Sequence, residues 1–179
     1  MSIYYPGCTV AIPDPVCSDC PTKELGDIRS LFFVKSDFAF PDITATAEWT
    51  TGINAKDIYV IPYTRGSLEV TENEQPGFGD QENTIDGRQF VITAFEPNYK
   101  ENAAFWNQIS QAKNFRVGWR TETQVHLSDN TAQIIAKAPI AEDKKQSILW
   151  NIIVKFQQES NPTPADTPAG VFDQCLAVN

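Results

Sequence analysis

Residues 147–156, with the sequence SILWNIIVKF, decide the fold of this chain. Successive side chains of an extended strand point to opposite faces, so every second residue of this segment shares a face. One face is wholly apolar and consists of Ile148, Trp150, Ile152, Val154 and Phe156. The other face mixes apolar with polar side chains. The pattern predicts a β-strand with one face buried in a core and the other only partly covered.

Strand patterns recur along the rest of the chain. Residues 27–35 and 88–95 place large apolar side chains at both alternating positions, which is typical of central strands. Shorter patterns lie at residues 57–61, 66–71, 115–121, 124–128 and 131–136, with a turn at Asp129-Asn130. With one clear helix among them, these strands predict a mainly β fold with one packed α-helix, an antiparallel β-sandwich or barrel.

The clear helix has both a start signal and a periodic face. Asn98 follows Pro97 and precedes Glu101 by three residues, which is the spacing of a capping box. Side chains recur at helical spacing in Tyr99, Ala103, Trp106 and Ile109. We therefore expect a helix from Asn98 to about residue 113, with this stripe in the core. A shorter helix is expected within residues 44–54.

Prolines divide the chain into three parts. An amino-terminal arm, residues 1–24, contains four prolines and is expected to run extended rather than helical. A β-sandwich or barrel domain follows over residues 25–160. The carboxy-terminal tail, residues 161–179, is again rich in proline and includes Pro162 and Pro164 as candidate contact residues. Proline-rich ends suit contact with a neighbouring molecule, and disorder is the alternative.

The charge of the chain restricts its partners. Lysines and arginines number 14 against 23 aspartates and glutamates, which gives a formal net charge of −9. Binding to nucleic acid or to anionic lipid needs an excess of basic residues, so neither is expected. The first residues do not follow the pattern of a secretory signal, and the apolar runs are too short to span a bilayer. A soluble protein without membrane contact is expected.

All four cysteines lie near the ends of the chain, as Cys8, Cys17, Cys20 and Cys175. The CxxC spacing of Cys17 and Cys20 could supply half of a zinc site. A zinc ribbon normally has two such pairs, and the surrounding prolines do not suit a redox CxxC at a helix start. We favour free cysteines, or a terminal disulfide in an oxidising medium, and we expect no metal or cofactor.

An acidic segment separates two of the predicted strands. From Glu69 to Asp86 the chain has six acidic residues and no basic one, and residues 72–83 predict a long loop. The segment lacks the ligand series of an EF-hand, so a calcium site is the weaker interpretation. We expect a solvated hairpin tip with an exposed aromatic anchor for a partner. Its candidate contact residues are Pro76, Phe78, Asp80 and Glu82.

Catalytic motifs are missing from the sequence. We find no phosphate-binding loop, dinucleotide fingerprint, nucleophile elbow or His-Glu-x-x-His zinc motif. The single histidine, His126, lies in a strand pattern opposite Val125 and Leu127, where a solvent or interface position is favoured over a general base. A hydrolase with paired carboxylates stays open, because sequence spacing cannot show two side chains that meet across a sheet. We expect a protein that is not an enzyme.

Three segments and the order of elements carry a resemblance to a known class of proteins. The segments are residues 24–30 (ELGDIRS), residues 95–106 and residues 119–126 (WRTETQVH). The order is a run of strands, a long loop, a mid-chain helix, a closing hairpin and a long final strand. In these features the chain resembles tail-tube and neck-ring structural proteins of bacteriophages infecting Bacteroidetes, including crAss-like phages. The resemblance covers about residues 20–160.

This resemblance implies a virion structural protein, assembled in the host bacterial cytoplasm, that forms a ring with copies of itself and contacts other phage structural proteins. In such rings the sheets of neighbouring subunits join and thereby remove open strand edges. The expected contact segments are the arm (1–24), the acidic loop (72–84) and the tail (161–179). DNA would pass through the ring without specific binding, and an acidic inner wall would repel its phosphates.

A carbohydrate-binding β-sandwich is the alternative function. Four tryptophans and five tyrosines on a β-rich body suggest it. Glycan binding needs exposed aromatic side chains, whereas Trp106, Trp119 and Trp150 lie in apolar patterns that predict burial.

Overall fold

The computed structural model describes residues 26–77, 79, 84–140, 145 and 147–172. The elements in these residues are β1 (Ser30–Lys35), α1 (Thr46–Asn54), β2 (Ile58–Ile61), β3 (Arg65–Gln75), β4 (Thr84–Glu96), α2 (Ala103–Ile109), β5 (Phe115–Arg120), β6 (Gln124–Thr131), β7 (Gln133–Lys137), β8 (Trp150–Gln158) and β9 (Ala165–Asp166).

The described strands form two antiparallel sheets. One sheet has five strands in the order β2-β1-β5-β6-β9, and the other has four in the order β3-β4-β8-β7. The chain passes from the first sheet to the second twice, between β2 and β3 and again at Ala132 between β6 and β7. The predicted mainly β, sandwich-like fold is therefore confirmed. The helix that the sequence predicts to be short, α1, is the longer of the two helices in the described residues.

A core of apolar side chains fills the space between the sheets. Phe33 of β1 and Ile92 of β4 are fully buried there. Helix α2 packs against this core with Trp106 and Ile109, as its stripe predicts, whereas Tyr99 stays 37% exposed. Strand β8 alternates buried with more accessible residues along its length. The predicted one-sided strand is confirmed.

A second core covers the other face of the five-stranded sheet. Trp49 of α1 is fully buried on this face and contacts Phe32 of β1 with 4.7 Å between ring centroids. Val171 and Phe172 pack there as well. Both faces of β1 are therefore buried, as its sequence predicts. The outer face of the four-stranded sheet has no such cover within the described residues, so β4 is a central strand with one accessible face.

The described part of the proline-rich tail packs on its own chain. Ala165–Asp166 pairs as β9 with Gln124 and Val125 at the edge of the five-stranded sheet. Phe172 contacts Trp49 with 5.2 Å between ring centroids. The sequence predicts contact with a neighbour for this tail, whereas residues 161–172 lie on their own sheet because apolar side chains near their end complete the second core.

Helix α2 begins later than the sequence predicts. It spans Ala103–Ile109 with Asn102 as its N-cap, and the side chain of Asn102 makes no capping hydrogen bond. The chain forms turns between Asn98 and Asn102. The predicted capping box of Asn98 and Glu101 is therefore wrong.

A buried carboxylate explains the late start of α2. Glu96 is fully buried, and its Oε1 accepts hydrogen bonds from the backbone N–H of Asn98 at 3.0 Å and from the side-chain amide of Asn102 at 2.9 Å. Its Oε2 accepts a bond from the indole N–H of Trp106 at 3.2 Å. These bonds hold the segment before α2 in turns that satisfy the carboxylate.

Strands β3 and β4 form a longer hairpin than the sequence predicts. The pairing matches Glu72 with Arg88 and Gln75 with Thr84, with a shift in register between Glu72 and Glu74 that marks a bulge. The sequence predicts a loop for residues 72–75, which are strand instead. The alternation of acidic with polar residues hides this extension in the sequence.

Strand β6 continues through the turn predicted at Asp129 and Asn130. A register shift between Arg116 and Gly118 of β5 takes up the additional residues. The side-chain oxygen of Gln158 accepts a hydrogen bond from the backbone N–H of Asp129 at 3.1 Å. A bulge in a continuous strand therefore replaces the predicted turn.

Candidate assembly surfaces

The four-stranded sheet ends in two strands whose outer sides are open in the described residues. One is β3 with eleven residues, most of them exposed, and the other is β7 with five. An open edge presents backbone N–H and C=O groups that can pair with another strand. These two edges are the first candidates for contacts between copies.

Ile28 marks where the open part of β3 begins. The backbone N–H groups of Ile28 and Gly66 each donate to the other's carbonyl oxygen at 3.1 Å. Backbone groups alternate in direction along a strand, so Leu68 and Val70 direct theirs to the same side as Gly66. The side chain of Val70 belongs to the inner face of the sheet and is nevertheless 46% exposed.

A groove follows the open edge of β7. It has a volume of about 540 Å³ and is lined by Ser110, Ala112, Lys113, Thr131, Ala132, Gln133, Ile134, Ile135, Ala136 and Lys137. One wall is thus the whole of β7, and the other is the segment that follows α2. The groove has the length and the backbone groups to receive an extended strand.

The register across the sheet fixes which backbone groups of β7 face this groove. Leu68 lies opposite Ile92, Ile92 opposite Val154, and Val154 opposite Ile134. Hydrogen-bonded and non-hydrogen-bonded pairs alternate across an antiparallel sheet. Since Leu68 points its backbone groups away from β4, Ile134 points its own away from β8, and so does Ala136. Both edges therefore offer the backbone groups of inner-face residues.

The two edges run in opposite directions, because four antiparallel strands lie side by side. If β7 of one copy is placed against β3 of the next copy, the antiparallel pattern continues without a break. Such a contact uses different surfaces on its two sides and can therefore repeat from copy to copy.

The charges of the two edges are opposite. Strand β3 begins with Arg65, but its open part after Gly66 carries Glu69, Glu72 and Glu74 and no basic residue, while the groove along β7 includes Lys113 and Lys137. Glu72 also forms a salt bridge of 3.5 Å with Arg88 within its own hairpin. Complementary charge favours the encounter of β3 with β7 and disfavours two copies of the same edge.

The predicted contact residues of the acidic loop lie at the end of the β3–β4 hairpin. Pro76 is exposed directly after β3. Phe78, Asp80 and Glu82 lie outside the described residues.

The two candidate prolines of the tail differ. Pro164 is exposed, whereas Pro162 is buried and lines a cavity of about 330 Å³ together with His126 and Trp119. The burial of Pro162 removes it from the surface available to a neighbour. The imidazole of His126 stacks on the indole of Trp119, with 5.1 Å between ring centroids and 9° between ring planes. His126 therefore packs against an aromatic side chain of the same sheet.

The four cysteines lie outside the described residues. Within the described ranges, no three side chains of histidine, cysteine, aspartate or glutamate stand close enough to hold a metal ion. The same ranges contain no helix that is long and apolar enough to cross a membrane.

Shifted pKa values occur around the five-stranded sheet. Lys35 donates a hydrogen bond of 2.7 Å to Asp57, and this bond raises the pKa of Lys35. Hydrogen bonds from the hydroxyl and the backbone N–H of Thr44 lower the pKa of Asp42. Burial lowers the pKa of Arg116. The first two shifts follow from local hydrogen bonds and the third from burial.

Comparison with known proteins adds no relative to these observations. No family model, curated protein or solved structure matches the chain. The strand edges and their charges therefore carry the functional argument.

Sequence reasoning missed the edge of β7 and its groove. The sequence predicts the strand itself, at residues 131–136, but its place at the end of the second sheet depends on the crossing at Ala132. A buried alanine between two polar residues gives little signal for such a crossing.

Proposed function

We propose that this protein is a non-enzymatic structural subunit that forms rings in a phage tail tube or in the neck and tail assembly, around the path of the DNA. The observation that carries the proposal is a pair of antiparallel, oppositely charged edges of one sheet that no strand of the described residues covers. A head-to-tail contact of this kind closes into a ring when the rotation between copies is suitable. The resemblance to phage tail-tube and neck-ring proteins supports the same function.

One register of edge pairing suits both strands. It places Ile134 of one copy opposite Val70 of the next, and Ala136 opposite Leu68. The half-exposed Val70 then gains an apolar neighbour on the inner face. Lys137 stands opposite Ser67 on the outer face, diagonal to Glu69 on one side and to Arg65 on the other, and the carboxylate of Glu69 is within reach of its long side chain.

The two neighbouring registers are less favourable. A shift by two residues in one direction places Ala136 opposite Gly66, whose backbone groups already bond Ile28. A shift in the other direction places Ile134 opposite Glu72 and brings a carboxylate against an apolar side chain.

The outer face of the joined sheet would have a mixed charge. Over the rows from Arg65 to Glu69 it carries Arg65, Lys137 and Lys155 against the single acidic side chain of Glu69. The net charge of the chain predicts an acidic inner wall for the ring. This face has more basic than acidic side chains in these rows, so it would not form an acidic wall if it lined the channel. Acidic residues concentrate instead on the far part of the hairpin, which is available for other virion proteins.

A carbohydrate-binding module is the second candidate. Tyr63 and Phe95 are aromatic residues with 56% and 43% exposure, and exposed rings of this kind can stack on sugars. All four tryptophans are at most 5% exposed, so none of these large rings is available to stack on a sugar. We therefore rank this function behind the ring.

The mass of the full chain in solution tests the proposed function. Light scattering after size exclusion, over a concentration series up to several milligrams per millilitre, is expected to give a single multiple of the chain mass. Negative-stain microscopy of the same fraction is expected to show closed rings. A monomer at every concentration, or open chains of unlimited length, would contradict the ring.

A further inference from the structure

A second groove lies beside the start of β3. It has a volume of about 760 Å³ and is lined by Arg29, Pro62, Tyr63, Thr64, Arg65, Phe95, Pro97 and Leu149. Two of its aromatic side chains, Tyr63 and Phe95, are strongly exposed. Because exposed apolar surface is unfavourable in water, a ligand that covers these rings would gain free energy.

Thr64 gives this groove a polar group without a partner. Its side chain is only 9% exposed, and its Oγ1 has no hydrogen-bond partner in the described part of the chain. A buried hydroxyl without a hydrogen bond costs free energy. The hydroxyl oxygen itself has almost no accessible surface, so it would donate to a carbonyl oxygen in the groove after rotation of the Thr64 side chain.

Two guanidinium groups stand at the same groove. Arg29 forms an ion pair with Glu122 at 3.6 Å, whereas Arg65 has no ion pair among the described residues. Arg65 is therefore the group available for a carboxylate. Aromatic and proline walls with a nearby polar donor are typical of sites that bind extended proline-rich segments, which leave their carbonyl groups free.

One segment of this chain has the matching chemistry. Residues 12–16 read Ile-Pro-Asp-Pro-Val and place a carboxylate between two prolines with apolar residues on either side. The similar sequence around Asp166 in the tail is already held on its own sheet as β9. The amino-terminal arm is thus the other proline-rich acidic segment of the chain, and it lies outside the described residues.

We propose that residues 12–16 of one copy bind in this groove on the neighbouring copy. Asp14 pairs with Arg65, the prolines and their apolar neighbours cover Tyr63 and Phe95, and an arm carbonyl accepts the hydrogen bond from Thr64. This inference rests on the proposed ring, because the ring brings copies together in a fixed orientation.

Charge reversal on both sides of the contact tests this inference in the full chain. Asp14→Arg and Arg65→Glu are each expected to weaken self-association at least tenfold in sedimentation velocity, and the double variant is expected to restore it. Asp19→Arg is the matched control, since it makes the same charge change in the arm outside residues 12–16. It is expected to associate like the wild type.

A mixture of the two single variants separates binding between copies from binding within one chain. In a mixture, the basic arm of the Asp14→Arg variant meets the acidic groove of the Arg65→Glu variant, and the remaining arm and groove are both of wild-type sequence. Association between copies is therefore restored in the equimolar mixture. If each arm binds its own chain, the charges stay mismatched in the mixture and self-association is not restored. A mixture without restored self-association would therefore overturn the inference. Single variants that associate like the wild type would overturn it as well.

The failure of this inference and the failure of the ring are distinguishable. Rings that form equally well in all variants contradict the arm contact alone. A wild type without rings contradicts the proposed function. In that case the arm contact still predicts a weak dimer. Its dissociation constant is expected to rise in each single variant and to return to the wild-type value in their mixture. A dissociation constant that does not change with these charges would overturn the arm contact.

Discussion

Replacing Val70 with proline is expected to leave the chain folded but to abolish ring formation. The backbone N–H of Val70 points to the open side of β3, so a proline there removes no bond of the β3–β4 ladder. It does remove a donor to the neighbouring β7, and its ring enters the space of that strand. The facing carbonyl of β7 then lacks its donor, which costs about 1–3 kcal/mol and weakens each contact by about fivefold to a hundredfold.

The matched control for this variant is Val70→Thr. Threonine has nearly the shape of valine and keeps the backbone N–H, so the ring is expected to persist in light scattering. Far-ultraviolet circular dichroism checks that both variants keep the β fold. If Val70→Pro still assembles like the wild type, β3 is not an assembly edge.

Replacing Glu96 with alanine is expected to lower the free energy of unfolding by about 3 kcal/mol or more. The substitution leaves three donors without their acceptor, namely the buried indole N–H of Trp106 and the part-buried backbone N–H of Asn98 and amide of Asn102. Each unsatisfied buried group costs about 1–3 kcal/mol. Urea unfolding of the variant, at one fixed chain concentration, measures the loss.

Two further variants show whether the carboxylate itself is the cause. Glu96→Gln keeps one acceptor oxygen but turns an amide donor toward another donor, so an intermediate loss of about 1–2 kcal/mol is expected. Glu101→Ala removes the exposed acid that the sequence places in a capping box, and a change within about 0.5 kcal/mol is expected. A larger loss from Glu101→Ala than from Glu96→Ala would contradict the observed start of α2.

Periodicity along the chain was enough to predict most of the β-strands and the burial of β1 and β8. The apolar face of residues 147–156 and the two-sided burial of residues 30–34 follow from alternation alone. Local patterns failed where a distant residue decides the structure. The start of α2 depends on the carboxylate of Glu96, which accepts bonds across ten positions of sequence, up to Trp106.

The candidate surfaces were predictable only in part. An acidic segment before residue 84 indicated a hairpin, and Pro76 is exposed directly after its first strand. In the tail, Pro162 was predicted as a surface residue but is buried, and Val171 and Phe172 hold this segment on the five-stranded sheet. The opposed edges of β3 and β7 could not be predicted, because they depend on the order of strands in the sheet.

A disulfide between copies tests the pairing of β3 with β7 most directly. The proposed register places Gln133 of one copy opposite Thr71 of the next, as a non-hydrogen-bonded pair with closely spaced side chains. With the four native cysteines replaced by serine, the double variant Thr71→Cys, Gln133→Cys is expected to form a ladder of covalent oligomers on mild oxidation, ending at the ring. The matched pair Ser67→Cys, Gln133→Cys lies about 13 Å out of register and is expected to cross-link little. Single chains only, or equal cross-linking of both pairs, would contradict the proposed edge pairing.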